Sequence, residues 1–313
     1  MTLTLSVDLK ESLGFIKVFN FNEVQDMPPL TYLFLAYGTS SSVHKQTIAS
    51  ICSLRGVGHS DVPYHVVLYT DHPDYYAWLA IDEIRRIGVE RLEAWMGPSR
   101  FGFRIKPCMM AEIAKTCEGP LVYVDGDTLF MQSLRSAEER VLAGESAMHL
   151  REYQVSDRQT KERRELMTTL TGKDLGQGVM LTEDSWMWNA GLIGLPSSML
   201  GAPADVVEMI DQMIQQGLSS RTRLKEQLAF SLYLDRHSKL FSMDDEVLHY
   251  WGNKPEWDGF LDRWLLSVVG QKLDMAEAGQ LLLSMQPFPA AVAPKKTKAE
   301  KRKAKLRKWL SLD

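Results

Sequence analysis

The chain has 313 residues, of which 45% are hydrophobic and 24% charged, and its formal net charge is −4. This length and composition exclude a disordered or fibrous chain and fit one large core, or one core with a smaller appendage. Nine basic residues and one acid between Lys295 and Lys308 give that segment a charge of +8, so the rest of the chain carries −12. An acidic body with a short basic tail excludes a globally basic nucleic-acid-binding protein, and no specific nucleic acid is an expected partner.

The cysteines and the apolar runs indicate the cellular compartment in which the protein occurs. Three cysteines without Cys-x-x-Cys spacing exclude a disulfide framework and indicate a reducing environment. Charged residues from Asp8 onward interrupt the first apolar run, so we expect no secretory signal. The sequence contains no run of about 18 apolar residues, so we expect no membrane-spanning helix. We therefore expect a cytoplasmic protein that meets a membrane, if at all, at its inner face.

Short apolar runs alternate with helical patterns along the first half of the chain. The predicted elements are, in order, a strand at 31–37, a helix at 45–54, a strand at 64–69, a helix at 73–81, a helix at 107–115 and a strand at 121–124. Strands that alternate with helices of this length predict parallel β–α–β units in an α/β fold.

The second half begins with a polar stretch, residues 151–184, which predicts one helix and loops inserted between two segments of the sheet. The elements predicted after it are a strand at 188–195, helices at 205–216 and 224–234, a short strand ending at 249–252 and a helix at 257–266. We expect one α/β domain over residues 30–286, with a Rossmann-like mixed sheet flanked by helices. An N-terminal extension (1–29) precedes it, and a linker with a basic tail (287–313) follows.

The main chemical feature is Val-Asp-Gly-Asp-Thr-Leu at 124–129, where an apolar strand ends. Ligands of open parallel sheets gather at the carboxyl ends of strands. Asp125 and Asp127 can both turn toward one cation there, and carboxylate oxygens suit Mg²⁺ or Mn²⁺, which in turn hold phosphate oxygens. The alternative is a solvated turn, since Asp-Gly-Asp is also ordinary turn chemistry.

A phosphatase of the haloacid-dehalogenase type is a less favoured interpretation of this motif. Such enzymes also end a strand in Asp-x-Asp, but they place a Thr two residues after the second Asp. That position is Leu129 here, and Thr128 directly follows the second Asp. The motif also lies on at least the third strand of this chain instead of the first.

Several short segments between Tyr32 and Trp257 together carry a family resemblance. They are, in order, Leu-Ala-Tyr at 35–37, Val-Leu-Tyr-Thr-Asp at 67–71, Arg-Ile-Lys at 104–106, Val-Tyr-Val-Asp-Gly-Asp-Thr-Leu at 122–129, Trp-Asn-Ala-Gly-Leu at 188–192, Glu-Gln at 226–227 and His-Tyr-Trp-Gly-Asn-Lys-Pro at 249–255. In this order they resemble the family 8 nucleotide-sugar glycosyltransferases of GT-A fold, the group of glycogenin and of bacterial galactosyl- and glucosyltransferases.

The resemblance implies a GT-A fold and a metal-dependent transferase. Such an enzyme moves a hexose from a nucleotide sugar, with a UDP-sugar as the expected donor, to a glycan, lipid-linked or protein acceptor that the sequence does not identify. Asp125, Asp127 and His249 would hold Mn²⁺ or Mg²⁺, and a mixed set of oxygen and nitrogen ligands is more typical of Mn²⁺.

The resemblance also implies two groups of substrate-facing residues. The residues expected to contact the donor are Ala36, Tyr37, Thr70, Asp71, Arg104, Lys106, Gly252 and Lys254. The residues expected to serve the transfer are Asn189, Glu226, Gln227 and Lys254, the last of which could stabilise the leaving phosphate. Family members retain the anomeric configuration, with the leaving phosphate assisting the incoming hydroxyl. The alternative is an inverting enzyme, in which the carboxylate of Asp184 or Glu226 would act as the base.

Three features depart from the family. Gly126 stands where Ala is common, which leaves both carboxylates in place. Glu226 stands where the family has Asp, which adds one methylene to the side chain. Residues 151–184 have no counterpart that we can align, and we expect them to shape the acceptor site.

Two further hypotheses concern binding. A non-catalytic nucleotide-sugar or glycan-binding protein on the same fold is the alternative to an enzyme. In the tail, Leu306, Trp309 and Leu310 recur at helical spacing among basic residues, which predicts that residues 295–310 bind an anionic membrane surface. A disordered tail, or an electrostatic contact with a partner, is the alternative.

Overall fold

Residues 28–157, 160–219 and 221–292 are described in a computed structural model of the chain. The basic segment 295–310 and residues 1–27 of the expected N-terminal extension lie outside the described residues.

Nine strands occur in the described residues. They are β1 (Leu30–Ala36), β2 (Tyr64–Thr70), β3 (Glu83–Arg86), β4 (Leu121–Val124), β5 (Thr128–Phe130), β6 (Ser146–Gln154), β7 (Trp186–Leu195), β8 (Leu240–Ser242) and β9 (Val247–His249). Seven form one mixed sheet in the order β3-β2-β1-β4-β7-β6-β8, and β5 pairs with β9 in a separate ribbon. The first four strands run parallel, whereas β7 runs antiparallel to β4 and β6.

Helices cover both faces of the sheet. Those of the described residues are α1 (Ser41–Gly56), α2 (Val89–Met96), α3 (Ile105–Ile113), α4 (Arg135–Leu142), α5 (Lys161–Leu170), α6 (Ala202–Gln215), α7 (Lys225–His237), α8 (Lys254–Gln271) and α9 (Met275–Ser284). Helices α2, α3, α5, α6 and α7 pack in one core, and α1, α4, α8 and α9 pack in the other. The predicted α/β class, with a mixed and mostly parallel sheet flanked by helices, is confirmed. No helix in the described ranges has the length and apolar character needed to cross a membrane.

Strand β1 shows why the sheet is central. Its side chains alternate between the two cores, since Leu33 packs in one and Tyr32 and Phe34 in the other. A parallel strand covered on both faces needs a nearly continuous apolar run, and the sequence of β1 supplies it.

Several segments differ from the sequence prediction, which lacks β5, β8, residues 146–150 of β6, and helices α2, α4 and α9. The helix expected at 73–81 is a single 3-10 turn, Pro73–Tyr76. Strand β3 was not predicted, because an edge strand of sequence Glu-Ile-Arg-Arg lacks an apolar pattern. The first four residues of the polar stretch extend β6, where Arg151 pairs with Trp188 of β7.

The segment 287–292, which the sequence analysis assigns to the linker, packs on α8. The ring of Phe288 stacks on Trp257 with the ring centres 5.8 Å apart. The carbonyl oxygen of Ala290 accepts hydrogen bonds from Trp257 Nε1 at 3.2 Å and from Asn253 Nδ2 at 2.8 Å. These contacts join the segment to the folded body.

Helices α1 and α9 approach each other backbone to backbone. Helix α9 begins with a capping box, in which Asp274 accepts from the Glu277 N–H and Glu277 accepts from the Asp274 N–H.

Gly279 lies at the contact between α9 and α1. A Cβ on Gly279 would lie 2.0 Å from the carbonyl oxygen of Cys52 in α1. Glycine at this position therefore permits the close helix contact.

We expect Gly279→Ala to destabilise the protein by about 2 kcal/mol or more, because the added methyl group meets backbone atoms that have no side-chain freedom to move. Urea unfolding followed by circular dichroism measures this change. Gly259→Ala in α8 is the matched control, since no atom lies within 4 Å of its added Cβ. Alanine there should stabilise the helix by about 0.5–1 kcal/mol. Equal stability of the two variants would contradict the close-contact explanation.

Candidate functional site

An open cavity of about 860 Å³ lies where β1 and β4 end. Eight of the residues predicted for the site line it: Lys106, Asp125, Asp127, Asn189, Glu226, Gln227, His249 and Lys254. The carboxyl ends of parallel strands meet at one edge of the sheet, so residues distant in sequence converge there.

The two aspartates and the histidine form one group. Their ligand atoms all lie within 4.8 Å of one another. Asp125 directly follows β4, and its N–H donates to the carbonyl oxygen of Gly191 at 2.8 Å. The ribbon of β5 and β9 then places Thr128 opposite His249, which brings the histidine to the Asp-x-Asp segment. Two carboxylates and one imidazole fit the ligand preference of Mn²⁺ and, less closely, that of Mg²⁺.

Hydrogen bonds determine which nitrogen of His249 faces this group. The Nδ2 of Asn189 donates to Glu152 Oε1 at 2.9 Å, and its Oδ1 accepts from the Gly191 N–H at 2.9 Å. The same Oδ1 lies 2.9 Å from His249 Nδ1, which must therefore be the donor. His249 Nε2 then lies 3.3 Å from Asp127 Oδ1, where it donates to the carboxylate when the ring is protonated and offers a lone pair to a cation when the ring is neutral. A cation between them would stabilise this arrangement.

Two glycines permit the close approach of these groups. A Cβ on Gly191 would lie 2.3 Å from His249 Nδ1. A Cβ on Gly126 would lie 2.4 Å from Thr47 Oγ1 of α1. An alanine at position 126 would therefore crowd Thr47 in this chain.

Lys254 joins the group from the first turn of α8. Its Nζ lies 2.8 Å from Asp127 Oδ2, and its side chain is 48% exposed. Burial by itself would raise the pKa of the Asp127 carboxyl, but His249 and Lys254 outweigh that effect and hold the pKa well below its usual range. Asp127 is therefore charged at neutral pH.

Lys106 is a buried cation between two carboxylates. Its Nζ lies 3.3 Å from Asp125 Oδ1 and 3.0 Å from Glu226 Oε1, and it donates to the carbonyl oxygen of Ala190 at 2.9 Å. Burial alone would lower the pKa of Lys106, but the two carboxylates outweigh it and raise the pKa. Burial raises the pKa of Glu226 against the opposing effect of Lys106. Lys106 thus balances the charge of two carboxylates of the protein itself, and the carboxylate of Glu226 is held in an ion pair with it.

Tyr123 and Glu152 are two site residues that the sequence analysis missed. Tyr123 precedes Asp125 by two residues, and its hydroxyl donates to Asp125 Oδ1 at 2.6 Å. Burial raises the pKa of Tyr123 well above its usual value, so the hydroxyl keeps its proton. Glu152 accepts from Asn189 and, at 2.8 Å, from Gln227 Nε2. The two-residue spacing could have indicated Tyr123, whereas only the pairing of β6 with β7 brings Glu152 to Asn189.

Arg104 does not line the cavity. Its guanidinium makes a two-pronged contact with Asp211 of α6, with distances of 2.9 Å and 2.8 Å. The hydrogen bond to Asp211 is the main cause that raises the pKa of Arg104. Asp211 is thus the partner of this cation at the start of α3.

The other residues predicted for donor contact that lie outside the cavity lining are Ala36, Tyr37, Thr70, Asp71 and Gly252. Asp71 accepts from the Gly38 N–H at 2.9 Å, which ties the loop after β1 to the end of β2. His44, Asp71 and His72 also approach one another within 4.8 Å. Both ring nitrogens of His44 are engaged, however, with the Tyr76 hydroxyl at 2.9 Å and with Gly38 O at 2.7 Å.

Two alternatives receive no support from the position of their residues. Thr128 is fully buried and hydrogen-bonded to Ser50 at 2.8 Å, which leaves it no phosphatase role in the cavity. Asp184, one of two candidate bases for an inverting enzyme, is exposed and does not line the cavity. Residues from the stretch 151–163, in contrast, form part of the cavity wall.

The chain matches no protein-family model, and it has no significant match among curated proteins.

We expect Glu152→Gln to weaken Mn²⁺ binding by about 10- to 100-fold, which is the usual effect of removing a group that orients a metal ligand. Glutamine cannot accept from both Asn189 and Gln227 with two oxygens, so Asn189 would no longer be held toward His249. Electron paramagnetic resonance of free Mn²⁺ measures the affinity. Glu162→Gln is the matched control, because Glu162 lines the same cavity but takes no part in these hydrogen bonds. Equal affinities of the two variants would contradict this role of Glu152.

Proposed function

We propose that this chain is a metal-dependent glycosyltransferase of GT-A fold that transfers a hexose from a nucleotide sugar, with a UDP-sugar as the expected donor. The observation that carries the proposal is the meeting of Asp125, Asp127, His249 and Lys254 at one edge of the sheet. A metal-binding group beside a half-exposed lysine suits a diphosphate, whose charge must be neutralised before it leaves.

The chain's own residues prepare this site in two ways. Tyr123 and Lys106 hold Asp125 from the buried side, so its carboxylate has a fixed direction. Lys254 is half exposed, so its ammonium can turn from Asp127 to an incoming phosphate and exchange one ion pair for another. A bound Mn²⁺ or Mg²⁺ would supply the remaining positive charge for the leaving diphosphate.

The positions of the candidate bases support a retaining transfer. Asp184 lies outside the cavity lining, and the carboxylate of Glu226 is paired with Lys106. An inverting enzyme needs a carboxylate free to take the proton of the incoming hydroxyl. Transfer with retention, in which the leaving phosphate assists that hydroxyl, makes no such demand on either residue.

We expect UDP with Mn²⁺ to raise the melting temperature of the wild-type protein, since a ligand at 100 times its dissociation constant adds about 2.7 kcal/mol of stability. Asp127→Asn should lose this shift, and Asp184→Asn, changed outside the cavity, should keep it. A panel of UDP-sugars and other nucleotide sugars, with Mn²⁺, then identifies the donor by its slow hydrolysis.

Three results are distinguishable in this experiment. A metal-dependent shift together with sugar release supports the transferase. A shift without release or transfer, for every donor in the panel, would favour the non-catalytic binding protein. Absence of any shift, or an unchanged shift in Asp127→Asn, would overturn the proposed function.

For the basic segment 295–310, we propose binding to an anionic membrane surface. Each basic residue near such a surface contributes about 1 kcal/mol, so this segment suffices for attachment at low salt. We expect the full chain to pellet with phosphatidylserine-containing vesicles and a chain ending at residue 293 to remain in solution. Equal pelleting of both chains would contradict membrane binding, and pelleting with neutral vesicles would contradict its electrostatic cause.

A further inference from the structure

Three arginines lie on one wall of the cavity. Arg151 belongs to β6, Arg163 to the first turn of α5 and Arg223 to the loop before α7. Asp125, Asp127, His249 and Lys254 come from other parts of the chain, at β4, β9 and α8. The arginine wall, defined by Arg151, Arg163 and Arg223, is therefore built by elements that contribute none of the candidate metal and phosphate groups.

Aromatic rings hold two of these side chains in place. The Cζ of Arg151 lies 3.8 Å from the ring centre of Trp186, and the Cζ of Arg163 lies 3.3 Å from that of Tyr153. A ring face attracts the guanidinium without occupying its in-plane N–H donors. The stacked forks are thus positioned and still able to donate.

Few carboxylates compete for these donors. Arg163 has one long contact, 3.4 Å from its Nη1 to Asp157 Oδ2. Within the described residues, no carboxylate forms an ion pair with Arg151 or Arg223. By comparison, Arg55 and Arg104 each contact an aspartate within 3 Å. Arg151 and Arg223 are exposed at the cavity wall and have no carboxylate partner among the described residues, so their guanidinium groups are available to a ligand.

The acids near the same wall leave two of its three arginines without an ion pair. Glu152 and Glu162 line the cavity beside the three arginines. Glu152 accepts hydrogen bonds from the side-chain amides of Asn189 and Gln227, which are neutral groups. Asp157 is the ion-pair partner of Arg163, and neither Arg151 nor Arg223 is paired with Glu152 or Glu162, so these two arginines keep free N–H donors.

We propose that the arginine wall binds an anionic group, a phosphate or a carboxylate, carried by the acceptor. This inference rests on the proposed function, since an acceptor exists only if a group is transferred. The planar guanidinium fork matches both oxyanions through paired hydrogen bonds. A neutral glycan would leave these donors unused, whereas an acidic sugar or a sugar phosphate engages them and is oriented by them.

The test compares the binding of glucose 6-phosphate, glucuronate and glucose by calorimetric titration, with and without saturating UDP and Mn²⁺. We expect at least one of the two anions to bind at least 10-fold more tightly than glucose, and the better one identifies phosphate or carboxylate as the recognised group. The double variant Arg151→Gln/Arg223→Gln should lose this preference. Arg221→Gln, changed at an exposed residue two positions before Arg223 and outside the cavity lining, should keep it.

Several results would overturn the inference. Equal affinity for glucose and both anions would do so, as would an unchanged preference in the double variant that circular dichroism shows to be folded. Loss of the preference in Lys254→Gln instead would place the anion on the side of the candidate metal group. An equal loss of UDP affinity in the double variant would assign the arginines to the donor. If wild-type protein shows no metal-dependent UDP binding, the proposed function fails, while the titrations without UDP still decide whether the wall binds anions.

Discussion

The side-chain amide of Asn189 is the contact on which the geometry of the site depends. One end of an amide donates and the other accepts, so its orientation determines the roles of its neighbours. The Nδ2 of Asn189 donates to Glu152, and its Oδ1 accepts from the Gly191 N–H. His249 has to donate from Nδ1 as a consequence, and its other nitrogen faces Asp127. A carboxylate on β6 thereby controls a ring on β9 that it does not touch.

Charge compensation is the second constraint, because this protein gathers three partly or fully buried carboxylates, those of Asp125, Asp127 and Glu226. Lys106 and Lys254 stand on different sides of that acidic group. Lys106 is buried, with a side-chain exposure of 10%, and compensates Asp125 and Glu226 permanently. Lys254, with 48% exposure, is accessible to a ligand. One lysine therefore belongs to the architecture, and the other can exchange its partner.

The sequence predicted those parts of the protein that depend on local pattern. The apolar run of β1 and the Asp-x-Asp turn after β4 are such parts. Glu152 was not predictable, because its role arises from the pairing of two strands separated by a long polar insertion. Arg104 shows the converse limit, since the resemblance of its segment implied a donor contact, whereas its guanidinium is paired with Asp211 on α6. Contacts between elements that are distant in sequence decide both cases.

The ribbon of β5 and β9 has a consequence for how the protein matures. It joins the aspartate turn, from the middle of the chain, to the histidine that emerges from the ribosome only after α7 and β8. A nascent or truncated chain that ends before β9 holds two of the three grouped ligands and lacks Lys254 altogether. The complete group proposed to bind the metal is therefore assembled only after most of the domain has been synthesised, which makes the site dependent on the completeness of the fold.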